Sequence, residues 1–223
     1  MFLKNCWYVA AWSKDVDREL LGRVLLDEYI VFYRKEDGTP VALENRCPHR
    51  NLPLSEGRLV GDDIECGYHG MIFNCDGDCI HLPGSETAPT WATVKRYPVA
   101  ERNGWLFYWP GDSSKADEAL LPDYHQYNEN EHWIKAQGQT YVNAGYRLIL
   151  DNLLDLSHLT YVHGSTTGNR AVAEMAQLTT ELDGDSVRVT RWMEDIEPAL
   201  AFRQYGGCLL YTSDAADDQA WGC

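Results

Sequence analysis

Cys47-Pro48-His49 is followed, after sixteen residues, by Cys66-Gly67-Tyr68-His69. Each segment offers one thiolate and one imidazole, and two such segments can close a single metal site. The donor set suits zinc, or a two-iron, two-sulfide cluster in which His replaces Cys on one iron. Zinc fingers usually pair like with like, C-x2–4-C with H-x3–5-H, so the mixed pairs favour iron. Imidazole is neutral where thiolate is charged, and this ligation raises the reduction potential above that of an all-Cys cluster. The chain has seven cysteines, an odd number, and its first residues lack the basic start and long apolar stretch of a signal peptide. That combination points to metal or redox chemistry in a reducing compartment rather than to a disulfide framework. Cys75-Asp-Gly-Asp-Cys79 invites a second metal reading, but an Asp-Gly turn accounts for the acids and buried free thiols are common. Cys6 and His81 are read as structural.

A second constellation lies in Asn152-Leu-Leu-Asp155-Leu-Ser-His158-Leu-Thr-Tyr-Val-His163. Asp155 and His158 are three apart and share a face of a continuous helix. His163, five beyond His158, falls about 140° away on an ideal helix. Both imidazoles can meet one ion only if the helix ends or bends before His163, and Gly164 suits such an ending. By itself H-x4-H fits two structural histidines as well as a metal pair.

The elements that would carry these residues follow from periodicity and turn chemistry. Residues 1–112 read as β: Tyr29–Arg34 and Val41–Asn45 flank a turn with Asp37-Gly38, Asp76-Gly77 separates Met71–Phe73 from Ile80–Leu82, and Asn103-Gly104 precedes Trp105–Trp109. Asp-Gly and Asn-Gly between apolar runs are hairpin signals because these residues tolerate positive φ. A small antiparallel sandwich is expected, then a linker at Pro110–Ser114. Apolar residues at Ile149, Leu153, Leu156 and Leu159 or Thr160 predict a helix over Tyr146–Tyr161. Gln177–Leu182 and Ser186–Trp192 read as strands paired around Asp183-Gly184-Asp185.

Composition bounds the function. The 223 residues are 44% apolar and 24% charged, with 34 acidic against 19 basic side chains and a net charge of −15. This is an ordinary globular composition, without the basic stripe that nucleic acid or an anionic membrane requires. No run approaches the length of a membrane span. A cytoplasmic protein is expected.

Taken together the two constellations resemble the oxygenase component of the Rieske non-haem iron oxygenases, in particular the aromatic O-demethylase branch typified by vanillate O-demethylase. The resemblance runs through Lys4-Asn-Cys-Trp-Tyr-Val9, Cys47-Pro-His-Arg-Asn-Leu-Pro-Leu-Ser55, Cys66-Gly-Tyr-His-Gly70 and Asp151–His163. It implies an α+β protein: an antiparallel β-sandwich Rieske domain at 1–112, then the incomplete start of a helix-grip type catalytic domain at 113–207. It implies that Cys47 and Cys66 hold one cluster iron and His49 and His69 the other, with His158 and His163 as ligands of a mononuclear Fe(II). Asp155 resembles the family's bridging acid, hydrogen-bonded to an iron-ligating His and passing electrons from a neighbouring subunit's cluster; Asn152 matches a position near the iron. A two-His, one-carboxylate triad leaves positions open for O2 and substrate. The resemblance further implies a flavin/iron–sulfur reductase that brings electrons from NAD(P)H, a homotrimer, and a role in aromatic catabolism. Oxidation of an aryl methoxy group would give a hemiacetal that collapses to a phenol and formaldehyde.

The sequence departs from that pattern in one respect. The family's carboxylate ligand lies well downstream of the His pair, and Asp183, Asp185, Glu194 and Asp195 come too early. Cys208-Leu-Leu-Tyr-Thr-Ser-Asp-Ala-Ala-Asp-Asp218 reads as the translation of a transposon-type library adapter, so 208–223 is expected to be a non-native tail on a cut-off natural protein. Such a fragment is expected to be inactive. Arg147, Tyr161 and Thr166 are candidates for the substrate pocket. Two other functions stay open: an electron carrier of the Rieske ferredoxin kind, which needs residues 1–112 but no second iron, and ring hydroxylation by a dioxygenase of the same family.

Overall fold

In the computed structural model, residues 2–122, 138–184 and 186–206 are described; the tail 208–223 lies outside them. The chain divides into two units, Met1–Gln137 and Gly138–Cys223.

The first unit is built from ten strands: β1 (Tyr8–Trp12), β2 (Leu21–Leu25), β3 (Glu28–Arg34), β4 (Pro40–Glu44), β5 (Arg58–Val60), β6 (Asp63–Glu65), β7 (Ile72–Phe73), β8 (Cys79–His81), β9 (Val99–Arg102) and β10 (Trp105–Tyr108). They form three sheets, ordered β1-β10-β9, β2-β3-β4 and β5-β6-β7-β8, all antiparallel. The predicted hairpins are present. Gly38 adopts φ 85° between β3 and β4, Gly77 φ 91° between β7 and β8, and Asn103 and Gly104 adopt φ 55° and 83° between β9 and β10. Two successive positive φ values mark the tight turn whose twist matches that of its strands.

β2-β3-β4 is the middle layer. Ile30, Val31, Phe32 and Tyr33 are each 0% exposed, as expected of a strand covered on both faces. Ile30, Phe32 and Ala42 pack with Ala10, Ala11, Leu106 and Tyr108. Val31, Tyr33, Val41 and Leu43 turn the other way, onto Leu54, Ile64, Met71, Phe73, Cys47 and Cys66. The expected antiparallel sandwich is thus built from three sheets, and each large side chain buried in it contributes about 1.5–3 kcal/mol of transfer free energy. The loops that carry Cys47 and Cys66 are anchored in one of its two cores.

Pro110–Ser114 does not act as a linker. Asn5 Oδ1 accepts from the Asp112 N–H at 2.9 Å, and a Cβ on Gly111 would lie 2.1 Å from that same Oδ1. Trp7 Nε1 donates to the Asp117 carbonyl at 2.8 Å and Arg102 to that of Leu121 at 2.8 Å. Leu121 is buried with Ala100 and Phe107. The chain thus stays packed on the first unit well past the boundary expected at 112.

The second unit has α1 (Tyr146–Leu154), α2 (Leu159–Val162), α3 (Arg170–Glu174), the paired strands β11 (Gln177–Asp183) and β12 (Ser186–Trp192), and α4 (Leu200–Gly206). The single helix expected over Tyr146–Tyr161 is broken. Asp155 is extended (φ −93°, ψ 93°), a short 3-10 turn covers Leu156–His158, and α2 follows. The cause is chemical: the Asp155 carboxylate accepts from the Ser157 N–H at 3.0 Å, capping a new helical start in competition with continuation of the old one. No helix among the described residues is long and apolar enough to cross a membrane.

Candidate metal centres

The two Cys–His motifs sit on loops with the same backbone plan. In the first, the Cys47 N–H donates to the Leu52 carbonyl and the Asn51 N–H to the Cys47 carbonyl, both at 2.8 Å. In the second, the Cys66 N–H donates to the Met71 carbonyl at 2.8 Å and the Gly70 N–H to the Cys66 carbonyl at 3.0 Å. The fourth residue after each cysteine has positive φ, 60° at Asn51 and 73° at Gly70. Glycine reaches that region freely, and asparagine is among the side chains that tolerate it best.

Further contacts hold the loops together. Asn45, 7% exposed, donates from Nδ2 to Ser55 Oγ at 2.9 Å and accepts the Ser55 N–H at 2.7 Å. Gly67 lets Glu56 approach: a Cβ there would lie 2.7 Å from the Glu56 carbonyl oxygen. Asn45, Asn51 and Ser55 are neither Cys nor His, so the Cys–His spacing does not single them out. The repeated spacing of Cys to a positive-φ residue at the fourth position was a signal for Asn51; nothing local signals the Asn45–Ser55 contact.

The four expected ligands fall into an inner and an outer pair. Cys47 and Cys66 are each 2% exposed, whereas His49 and His69 are exposed. The imidazole centroids lie 4.5 Å apart at 57°, and the Tyr68 ring covers His69 at 3.9 Å and 30°. Burial pushes the Cys47 thiol up; the backbone N–H groups of His49 and Arg50 pull it back, and the neighbouring Cys66 thiol raises it further. A thiol buried as Cys47 is becomes a thiolate only against a strong local positive charge, which a bound metal would supply. Among the described residues, no three His, Cys, Asp or Glu side chains surround a point that a single ion could fill. One sulfur pair and one imidazole pair match a binuclear core with unlike irons. The residues fit the cluster.

In the second unit the break at Asp155 aims the histidines. His158 Nδ1 bonds the Asp155 main-chain carbonyl. A carbonyl only accepts, so Nδ1 carries the proton and Nε2 is left with a lone pair for a metal. His163 is the first residue past α2 (φ −116°, ψ 23°), and its carbonyl accepts the Thr166 and Gly168 N–H groups, both at 2.9 Å. A Cβ on Gly168 would fall 1.8 Å from the Leu159 carbonyl oxygen, so the return past α2 requires glycine. The two rings are 5.5 Å apart at 71°. The helix ends before His163, the condition under which the pair can share an ion, and a lone-pair nitrogen on His158 suits divalent iron.

Asp155 itself differs from expectation. The break removes the shared helix face, and the contact with His158 runs through the main chain. The carboxylate accepts from the Ser157 N–H and hydroxyl, and Arg191 Nη2 lies 3.7 Å away. Ser157 first, then Arg191, holds this carboxyl below its usual range. Asn152 is exposed in the last turn of α1, as is Tyr161 in α2. Thr166 Oγ1 donates to the His163 carbonyl at 3.2 Å, and Arg147 Nε to the Tyr146 hydroxyl at 3.4 Å. Cys75 and Cys79 are free thiols; Cys79 Sγ donates to the His81 carbonyl at 3.3 Å and packs in the core beside Cys47.

The chain is similar to known proteins over both units. The Rieske [2Fe-2S] domain family matches residues 6–98, and the vanillate O-demethylase oxygenase C-terminal domain matches residues 142–221, a span that runs through the segment set apart above from residue 208. The iron–sulfur subunit of the toluene-4-sulfonate monooxygenase system of Comamonas testosteroni is 42% identical over 86% of this chain and 56% of its own. The vanillate O-demethylase oxygenase subunit of Pseudomonas sp. (strain HR199 / DSM 7063) is 39% identical over 88% and 54%. Crystalline dicamba monooxygenase bound to 3,6-dichlorosalicylic acid superposes with a TM-score of 0.83 at 31% identity, covering 92% of this chain and 60% of that one. The chain spans about half the length of these curated relatives. With a Rieske domain and a vanillate O-demethylase-type C-terminal domain in sequence, the chain belongs to the Rieske non-haem iron oxygenases.

Proposed function

We propose that the whole protein is the oxygenase component of an aromatic O-demethylase. It converts a methoxylated aromatic acid, O2 and NAD(P)H to the phenol, formaldehyde, water and NAD(P)+. The observation that carries this reading is the pairing of two centres on one chain: buried Cys47 and Cys66 with exposed His49 and His69, and His158 held with Nε2 free beside His163. An electron carrier needs only the first.

Cys47, His49, Cys66 and His69 would hold a [2Fe–2S] cluster, and His158 and His163 a mononuclear iron. When bound, the first supplies electrons singly and the second the place where O2 and substrate meet. The chain's own residues do the positioning. The mirrored loops carry the imidazoles at the surface, where an electron partner can reach them. The Asp155 carbonyl fixes the His158 tautomer, and the Asp155 carboxylate would carry electron exchange between subunits of a homotrimer. Asn152 would lie near the iron. The protein would be cytoplasmic, with electrons arriving from NAD(P)H through a flavin/iron–sulfur reductase. A second reading, monooxygenation of an aromatic sulfonate, has the 42% identical Comamonas relative in its favour.

The test is turnover by the full-length protein with its reductase and NAD(P)H. Methoxybenzoate should yield phenol and formaldehyde in equal amounts, and H158A should abolish both. Consumption of toluene-4-sulfonate but of no methoxybenzoate would select the second reading, and activity with neither contradicts both.

A further inference from the structure

Arg191, on β12, is a half-hidden cation in a strand whose other residues are exposed. Its side chain is only 13% exposed. Nη1 donates to the Val172 carbonyl in α3 at 3.0 Å, Nη2 lies 3.7 Å from Asp155 Oδ1, and Nε is buried without a hydrogen-bond partner. Holding a guanidinium in such a place is costly unless its contacts constrain something. Those contacts link α3 to Asp155, the residue where α1 stops. Asp155 is extended there, its carboxylate caps the following turn, and its carbonyl takes the His158 Nδ1 proton. A rotation of that peptide would withdraw the carbonyl and let the imidazole choose either tautomer.

We infer that Arg191 is a positioning residue for the second metal centre: by tying Asp155 to α3 and β12 it keeps the Asp155 carbonyl on His158 Nδ1, so that Nε2 faces the metal. The inference rests on the reading of His158 and His163 as metal ligands. The effect passes through the main chain: the guanidinium bonds the Val172 carbonyl and faces the Asp155 carboxylate, and the Asp155 carbonyl meets the imidazole. The planar guanidinium presents separate nitrogens to its two partners in a fixed geometry, whereas an ammonium is a single point charge on a flexible stem.

The experiment uses the 223-residue chain, with imidazole nitrogen NMR shifts of His158 and Co(II) titration followed by paramagnetic broadening of the His158 and His163 ring signals. H158A and H163A come first: if neither weakens Co(II) binding, the metal-site reading fails and the inference falls with it. If they do weaken it, R191Q is expected to lower Co(II) affinity about tenfold, as loss of an outer partner of a metal ligand typically does. It should also replace the single Nδ1–H tautomer of His158 by a mixture. R191K should lose less, and R188Q, at an exposed position on the same strand, should match the parent. D155N, which leaves the carbonyl in place but removes the charge that Arg191 faces, should shift both readouts in the direction of R191Q and decides the matter if R191Q does not fold. Retention of the His158 tautomer and of parental Co(II) affinity in R191Q or D155N overturns the inference, as does an equal loss in R188Q.

Discussion

His49 and His69 are exposed where Cys47 and Cys66 are buried, so as cluster ligands the uncharged pair would meet solvent and the charged pair would lie in the core. Each thiolate adds a negative charge to the cluster and each imidazole adds none, which is why mixed ligation raises the potential. H69C therefore has a signed outcome. Film voltammetry should place its midpoint on the order of 100 mV or more below the parent, towards the level of about −400 mV typical of all-Cys plant-type ferredoxins; an unchanged midpoint would mean that His69 is no ligand. These four residues stand out in the sequence as candidates because two short motifs contain the donors and nothing between them changes their type. Asn45 and Ser55, which close the first loop, do not. Their hydrogen bonds span ten residues, and an Asn followed at a distance by a Ser is unremarkable in any loop.

At the scale of elements, hairpins were legible and the long helix was not. Asp-Gly and Asn-Gly turns announce themselves through positive φ, and all three formed. The apolar spacing through Ile149, Leu153, Leu156 and Leu159 is continuous across the break, so periodicity alone extends one helix to Tyr161. The correcting signal was the capping pattern Asp155-x-Ser157, which starts a new turn inside the old period. Contacts between distant strands were equally silent. Arg34 on β3 grips Glu101 on β9 through both carboxylate oxygens, and Ser13 donates to the same group. Arg34 above all holds the Glu101 carboxyl below its ordinary range. A carboxylate so depressed stabilises the fold fully above the ordinary glutamate value and loses its contribution as pH falls through the folded one. E101Q should cost about 1 kcal/mol near neutrality, after allowance for partial exposure. That is roughly 2–4 °C in Tm for a chain of this size. The gap between E101Q and the parent should close in acid; a gap that persists or widens there would refute the charge assignment.

Across the whole molecule the two units differ in what they bury. The first stacks three sheets around two continuous cores, and one of those cores contains both cluster cysteines. The second displays Leu148, Leu153, Val187 and Leu182, the last 81% exposed. A two-stranded ribbon such as β11–β12, exposed on both faces, has little independent stability. That contrast sets the two candidate centres apart. The two Cys–His loops carry their scaffold with them, whereas the proposed His158–His163 site would depend on a helix break, on Arg191 and on further ligands that the described residues do not complete. The claim that two sulfur and two nitrogen donors close on one binuclear iron core is tested most directly by electron–nuclear double resonance on the iron-loaded, dithionite-reduced protein. Two inequivalent, strongly coupled nitrogens should appear, one lost in H49A and the other in H69A. A reduced cluster without coupled nitrogen, or a protein that takes up zinc and never iron and sulfide, would contradict it.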